Sequence, residues 1–220
     1  MPPNTTNQPP EPGSLIRGSD PPPGPATAGY KLNHLMLRIR SPARSLHFYK
    51  DLLGLRSIFT MNAGPFTMYY LAIRLPTLPQ RTQAKENLQA WAVQTSNIHA
   101  LTQIAGLLEL YHIHGTEEDC EGRGLELSTG NEPPALGFGH VGFSVPDVGA
   151  AVERLRGAGV RVFKEVGETG KETVPISGWE EARGVGTGEL HGAYQRFWGQ
   201  IAYVLDPDGY FVELVPQNMQ

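Results

Sequence analysis

The sequence predicts an α+β fold made of two tandem βαβββ modules. With 220 residues, the chain has room for one large domain or two small ones. Two segments of alternating apolar residues, 33–39 and 139–145, lie about 105 residues apart, and each leads into a helix signal. Each half also ends in strands that carry a glutamate among apolar neighbours. Repetition at this distance is typical of a duplicated structural unit.

The first element of each half is predicted to be a half-buried strand. In residues 33–39, Leu35, Leu37 and Ile39 fall on one face, which is the period-2 pattern of a strand with one face in the core. Residues 139–145 repeat that pattern. The two strands are therefore expected to occupy equivalent places.

A helix is expected after each of these strands. Ser41 and Asp147 are suitable N-caps, and Pro42 suits the first helical position. Each helix has an apolar stripe and is stopped by glycine at position 54 and at 157 or 159. The stripes consist of Phe48, Tyr49, Leu52 and Leu53 in the first helix and Val148, Ala151, Val152 and Leu155 in the second.

Several antiparallel strands are predicted to complete each half. Asp206–Gly209 has the sequence DPDG, a turn signature with proline at its second position. This turn is expected to join strands at 201–205 and 210–215 as a hairpin. The last strand of the first half is expected at 107–111.

These elements divide the chain into three predicted segments. Residues 1–28 hold 9 of the 19 prolines and few large apolar side chains, which predicts a disordered tail. The modules are expected at 29–135 and 136–220. The second module carries an inserted loop at about 167–199, which is long for a compact domain and is interpreted as either a solvated excursion or a lid.

Composition excludes several classes of function. The net charge of −4 and the lack of a sustained Lys/Arg run argue against nucleic acid or an anionic membrane surface as a partner. A single cysteine, Cys120, excludes an intramolecular disulfide and a zinc site built on several thiolates. No apolar stretch is long enough for a membrane span or a secretory signal, so the cytoplasm is the expected location.

Four residues form a repeated constellation that points to a metal. A histidine begins the first strand of each half and a glutamate lies in the last strand. The spacing is 75 residues from His34 to Glu109 and 73 from His140 to Glu213. If the halves are related by a pseudo-twofold axis, two imidazole nitrogens and two carboxylate oxygens can converge, a set that suits a divalent transition metal.

Several blocks of the sequence resemble the glyoxalase I family of the vicinal oxygen chelate superfamily. They are LNHLMLR at 32–38, LELYHIHGTE at 108–117, GFGH at 137–140 and DPDGYFVE at 206–213, and they occur in the family's order from about residue 30 to 216. The fold implied is the paired βαβββ arrangement. The block at 108–117 points most narrowly to glyoxalase I.

The resemblance implies a specific activity. Such an enzyme isomerises the hemithioacetal of methylglyoxal and glutathione to S-lactoylglutathione through an enediolate. The matching metal positions are His34, Glu109, His140 and Glu213, which would hold one divalent metal per site, Zn or Ni. Glu213 matches the main acid/base and Glu109 a possible second one. The family also implies a homodimer, with His34 and Glu109 of one chain meeting His140 and Glu213 of the other.

The substrate-binding positions match the family only in part. Arg38 matches the arginine that holds the glutamyl carboxylate of glutathione. Ile113 and Leu136 replace an asparagine and an arginine of the family pattern, so Arg183 or Arg196 of the insertion is hypothesised to supply a carboxylate contact. This departure leaves open an isomerase or epimerase acting on a different thiol adduct or thioester, and a non-catalytic binding paralogue.

Two further histidines are interpreted as structural. His112 and His114 follow Glu109 at odd intervals, which places them on the opposite face if the strand continues.

Overall fold

The computed structural model describes residues 9–73, 89, 90, 93, 96–117 and 126–219. Cys120 lies outside these residues, as do residues 1–8 of the predicted tail. The chain divides into two compact units. The unit that we call the first contains Pro25–Thr129 together with the turn Asp206–Gly209. The second contains Gly130–Leu205, Tyr210 onward and the described residues up to Gly24. The module boundaries predicted at 29–135 and 136–220 stay predictions.

The first unit is built on a four-stranded sheet in the order β1-β4-β3-β2. β1 and β4 are parallel, and the other two pairings are antiparallel. A helix follows β1, and its last turns are π-helical. The elements are β1 His34–Arg38, α1 Pro42–Leu46 with its π-helical continuation His47–Leu52, β2 Arg56–Asn62, β3 Phe66–Ala72, α2 Ile98–Leu101 and β4 Leu107–Ile113.

The second unit repeats this topology. Its sheet has the order β7-β10-β9-β8, with β7 and β10 parallel and the other pairs antiparallel. A two-stranded ribbon precedes it. The elements are β5 Asn131–Glu132, β6 Ala135–Leu136, β7 His140–Val145, α3 Val148–Gly157, β8 Val162–Lys164, β9 Ala202–Leu205 and β10 Phe211–Pro216. The predicted pair of βαβββ modules is confirmed.

Both predicted helix starts are present. The Ser41 hydroxyl accepts a hydrogen bond from the Arg44 backbone N–H at 3.5 Å, and the Asp147 carboxylate accepts one from Ala150 at 2.9 Å. These bonds satisfy backbone donors that the first turn of a helix leaves unpaired. The stripes predicted from the sequence face inward, with Phe48 and Tyr49 buried in the first unit and Val148, Val152 and Leu155 buried in the second.

The DPDG turn is tied to the helix of the first unit by buried polar contacts. The fully buried Tyr49 donates from its hydroxyl to Asp206 at 2.9 Å. Asp208 accepts from the Ser45 hydroxyl and from the Arg40 backbone N–H, each at 3.2 Å. Burial raises the pKa of Asp208, and these two hydrogen bonds oppose that rise. The turn is therefore an integral part of the first unit.

The segment predicted as an inserted loop contains helical structure. It holds a 3₁₀ turn at Lys171–Thr173 and two helices, α4 Ser177–Glu181 and α5 Gly192–Trp198. The reason is an apolar anchor at its end. Trp198 is buried in the core cluster with Ile201, Tyr203 and Phe211. The indole N–H donates to the Thr173 hydroxyl at 2.7 Å, which fixes the 3₁₀ turn to the same anchor.

The described part of the N-terminal tail is exposed and has neither helix nor strand. Among the described residues, no helix is long and apolar enough to cross a membrane.

Lys164 is a fully buried lysine beneath the insertion. Its ammonium lies 4.9 Å from the centre of the Trp198 ring and donates to the backbone carbonyls of Ile201 at 2.7 Å and Glu165 at 3.0 Å. Burial lowers the pKa of Lys164 to about 8, while the charges of Glu168 and Glu165 oppose that shift. The folded protein therefore holds this proton less tightly than an exposed lysine does, although its pKa of about 8 still leaves the ammonium form at neutral pH.

We predict that Lys164 makes stability rise with pH in the alkaline range. The unfolded chain keeps this proton up to its ordinary pKa of 10.5, whereas the folded protein releases it near pH 8. Unfolding therefore takes up a proton between these values, and stability rises across that window. The measurement is urea unfolding of the wild type and of Lys164→Met. The unfolding free energy of the wild type relative to the variant should be larger at about pH 10 than at about pH 7. A constant or falling difference would contradict the prediction.

Candidate metal centre

The parallel pairing of β1 with β4 brings His34 and Glu109 together. The register aligns His34 with Leu107 and Met36 with Glu109, so the histidine and the glutamate lie on one face two positions apart. His34 Nε2 lies 3.5 Å from Glu109 Oε2. The carboxylate is nearly buried, and the imidazole is 41% exposed.

The second unit contains the same arrangement. The pairing of β7 with β10 aligns His140 with Phe211 and Gly142 with Glu213, which is again an offset of two positions on one face. His140 Nε2 lies 3.2 Å from Glu213 Oε2, and this imidazole is also 41% exposed. The two histidine–glutamate pairs are thus equivalent in register, distance and exposure.

A tyrosine stands directly across from each glutamate on the neighbouring antiparallel strand. Tyr70 is the register partner of Glu109, and Tyr203 is that of Glu213. The hydroxyls donate to the carboxylates at 2.8 Å and 3.0 Å. Burial, reinforced by the glutamates, raises the pKa of Tyr70 to about 12 and that of Tyr203 well above its ordinary value. Both phenols stay neutral donors near neutral pH.

Sequence reasoning missed both tyrosines. The DPDG hairpin carried a usable signal for Tyr203, because folding β9 back on β10 about that turn places Tyr203 opposite Glu213. For Tyr70 the register with Glu109 depends on two strands 39 residues apart. Neither the spacing nor a turn signature in the sequence sets that register.

Each pair has donor atoms and a separation that are compatible with one shared cation. Two ligand atoms about 2.1 Å from a shared cation lie about 3.0 Å apart at a right angle and about 3.4 Å apart at the tetrahedral angle. The measured separations of 3.2 and 3.5 Å are close to this range. Imidazole nitrogen and carboxylate oxygen are also a donor set that divalent transition metals accept.

The four predicted ligands occur as two pairs. The structure brings His34 to Glu109 in the first unit and His140 to Glu213 in the second. Across the described ranges, no group of three or more His, Cys, Asp or Glu side chains is placed to hold a metal ion. Each pair therefore supplies two ligands.

His112 and His114 are not part of these pairs. They lie at the end of β4, where they contact residues of the following loop and of β3. His112 is buried with its Nε2 2.9 Å from Glu117 Oε1, but in an orientation that is not that of a hydrogen bond. His114 Nε2 lies 2.8 Å from the Thr67 hydroxyl. The backbone N–H of Glu117 itself and that of Gly115 lower the pKa of the Glu117 carboxyl, and the two histidines add to this effect. These contacts organise the loop.

The three predicted substrate-binding arginines lie in different surroundings. Arg38 is exposed on β1, four residues after His34 and on the same face of the strand. Its guanidinium lies 5.9 Å from the centre of the Tyr111 ring. Arg183 stacks over Trp179 at 3.8 Å and donates to the Trp179 carbonyl at 3.0 Å. Arg196 is exposed on α5.

Helix α5 of the insertion packs next to the second pair. Tyr194 stacks on Trp198 at 5.8 Å, and Trp198 in turn contacts the Tyr203 ring at 5.4 Å. The pKa of Tyr194 is raised by burial and further by the charge of Glu213, which indicates that this phenol shares the environment of the carboxylate. The insertion therefore packs against Tyr203, the residue that donates to Glu213.

Comparison with known proteins places the chain in a family. Residues 31–174 match the sequence model of the Glyoxalase/Bleomycin resistance protein/Dioxygenase superfamily. Lactoylglutathione lyase of Pseudomonas putida is 32% identical over 194 residues, which cover 87% of this chain and 87% of that protein. Lactoylglutathione lyase of Pseudomonas aeruginosa is 31% identical, with 90% of this chain and 88% of that protein covered.

Among solved structures, the chain is similar to the trypanothione-dependent glyoxalase I of Leishmania major. The TM-score is 0.48 at 18% identity, and the match covers 86% of this chain and 87% of that one. The resemblance to glyoxalase I stated from the sequence is confirmed by the two Pseudomonas relatives. This protein belongs to the glyoxalase/bleomycin resistance protein/dioxygenase superfamily.

Proposed function

We propose that this protein is a metal-dependent lactoylglutathione lyase, which isomerises the hemithioacetal of methylglyoxal and glutathione to S-lactoylglutathione. The observation that carries the proposal is the repeated His–Glu–Tyr arrangement, found in the same register in both units. The names of the Pseudomonas relatives supply the substrate. We place the activity in the cytoplasm.

We further propose that one divalent metal, Zn or Ni, is held by His34, Glu109, His140 and Glu213. A single pair offers two protein ligands, whereas metal sites in enzymes use three or more. Two pairs give the N₂O₂ set that both metals accept. In a homodimer, His34 and Glu109 of one chain would join His140 and Glu213 of the other, so that each dimer has two sites.

The reaction needs a base that removes a proton from the hydroxyl-bearing carbon of the adduct and returns it to the adjacent carbon. We assign this role to Glu213, because Tyr203 holds its Oε1 while Oε2 faces His140. In Glu109, by contrast, Oε2 both accepts from Tyr70 and faces His34. Tyr203 therefore keeps the Glu213 side chain in place through Oε1, while Oε2 would leave the metal to take the proton. A bound metal would supply positive charge beside the oxygen on which negative charge develops.

The positions that match the glutathione-binding residues of the family favour a second candidate function. Ile113 and Leu136 stand where the family pattern has an amide and a guanidinium, so two polar contacts to glutathione are replaced by apolar side chains. An isomerase or epimerase acting on another thiol adduct or thioester would use the same metal and the same carboxylates. Arg38 and the insertion arginines Arg183 and Arg196 are the cations that we assign to the substrate carboxylates.

The first prediction for this function is metal-dependent thioester formation. Protein stripped of metal should be inactive with methylglyoxal and glutathione, and reloading with Zn or Ni should restore the thioester absorbance. Glu213→Gln should lower kcat at least about 100-fold, because the amide cannot accept the proton. Glu132→Gln, on an exposed position of β5, is the matched control and should behave as wild type.

Two results separate the candidates. Absence of thioester with either metal, in protein that still binds the metal, would overturn glutathione as the thiol and favour the second candidate. Full activity of Glu213→Gln would overturn the assignment of the base.

The second prediction tests the shared site. If each site uses one pair from each chain, a heterodimer of His34→Ala and Glu213→Ala chains has one intact site. Random mixing should then restore about a quarter of the wild-type activity, since half of the dimers are mixed and each has one working site of two. The control is a mixture of His34→Ala with Glu109→Ala, which leaves no intact site. Lack of recovery in the first mixture would contradict sites shared between chains.

The third prediction concerns the insertion. The double variant Arg183→Ala/Arg196→Ala should raise KM for the adduct about 10-fold or more with a small change in kcat, because a charged hydrogen bond to a substrate carboxylate is lost. The control is Arg154→Ala/Arg161→Ala, two exposed arginines outside the insertion. An unchanged KM in the first variant would exclude these arginines as substrate contacts.

A further inference from the structure

The imidazole of His34 has a polar partner on the side away from Glu109. His34 Nδ1 lies 2.8 Å from the side-chain oxygen of Asn33. The Asn33 amide nitrogen donates to the carbonyls of Leu101 at 3.0 Å and Ile104 at 2.7 Å. Because carbonyl oxygens only accept, the orientation of the Asn33 amide is fixed, and its oxygen must face the ring. His34 Nδ1 is therefore the donor in this contact.

The second histidine reaches the same state through a different partner. The Tyr203 hydroxyl lies 3.4 Å from His140 Nδ1 and 3.0 Å from Glu213 Oε1. A hydroxyl has one hydrogen, and an ionised carboxylate can only accept it. Towards His140 the tyrosine oxygen can therefore only accept, and this contact, 3.4 Å long, favours a proton on His140 Nδ1.

We propose that Asn33 and Tyr203 are positioning residues that hold both histidines with the proton on Nδ1, so that Nε2 is the atom that coordinates the metal. The inference rests on the metal site proposed above. In each pair Nε2 is the ring nitrogen that faces the glutamate oxygen, at 3.5 and 3.2 Å. A metal-binding histidine needs its lone pair on the coordinating nitrogen, and a partner on the other nitrogen fixes that tautomer in advance.

The two units could not use one common residue for this purpose. The residue before His140 is Gly139, which has no side chain to take the place of Asn33. Tyr70, the counterpart of Tyr203, contacts the His34 ring edge-on, with the ring centres 5.6 Å apart. Its hydroxyl donates a hydrogen bond to Glu109. An amide in the first unit and a phenol in the second thus provide the same acceptor at Nδ1 by independent routes.

The direct test is long-range proton–nitrogen NMR of the histidine rings in the metal-free protein, recorded at a pH where the spectra show both rings in the neutral form. His34→Gln and His140→Gln assign the two signals. We expect the Nδ1-protonated form at both positions in the wild type. Protons on Nε2 at either position would overturn the proposal for that histidine.

Variants of Asn33 distinguish two roles of this residue, which are to fix the His34 tautomer and to hold the loop that contains Leu101 and Ile104. Asn33→Ala should shift His34 towards protonation on Nε2 and weaken zinc binding, measured by calorimetry, about 10- to 100-fold. Asn33→Asp keeps the acceptor oxygen and loses the two hydrogen bonds to Leu101 and Ile104. It should retain the wild-type tautomer and most of the affinity. Equal losses in both variants would show that Asn33 acts only through the loop and would overturn its assigned role.

Variants of the two tyrosines give the matched comparison in the second unit. Tyr203→Phe should change the tautomer of His140, whereas Tyr70→Phe should leave both tautomers as in the wild type. An unchanged His140 signal in Tyr203→Phe would overturn the assignment of Tyr203. The tautomers are read without substrate, so failure of this proposal is distinct from failure of the proposed lyase activity.

Discussion

The candidate histidine–glutamate pairs depend on one constraint, the parallel pairing of β1 with β4 and of β7 with β10. In both sheets the glutamate is paired with the residue two positions after the histidine. A shift of one residue would turn one member of the pair to the opposite face, because side chains alternate along a strand. The apolar residues that alternate with them, such as Leu37, Leu110 and Leu214, are buried and oppose such a shift. The packing of the core thus fixes the geometry of the polar pairs.

Much of this arrangement could be predicted because the signals are local or repeated. The caps Ser41 and Asp147 depend on a few neighbouring residues, and the two histidines and two glutamates stand out through nearly equal spacing. Helical structure in the insertion differs from the predicted loop, since its glycines suggest a loop while Trp198 at its end is buried against Tyr203 of β9 and Phe211 of β10. Tyr70 and the polar partners of the imidazoles depend on cross-strand register and on side-chain orientation, which composition and periodicity do not determine.

The supporting residues differ more between the two units than the predicted ligands do. His–Glu pairs, their offset and the tyrosine opposite each glutamate are common to both. The partner of the second imidazole nitrogen differs, being Asn33 in the first unit and Tyr203 in the second, and the insertion with Tyr194 and Trp198 occurs in the second unit. The geometry of a histidine–glutamate pair allows few other residues at those two positions. The partner of the imidazole, by contrast, needs only to present a hydrogen-bond acceptor at Nδ1. This difference is what makes the two histidine–glutamate pairs distinct from one another.

The turn Asp206–Gly209 links the two halves of the sequence, because residues of the second half complete the first unit. By sequence the turn connects β9 and β10, yet in space it is part of the unit that contains Pro25–Thr129. A gene fragment that stops at Thr129 would encode the fully buried Tyr49 without the carboxylate that receives its hydroxyl hydrogen. A buried hydrogen bond to a charged group contributes about 1.5–3 kcal/mol, a large part of the stability of a small domain. Although the two halves repeat one topology, the first unit is completed by four residues that the second half of the sequence supplies.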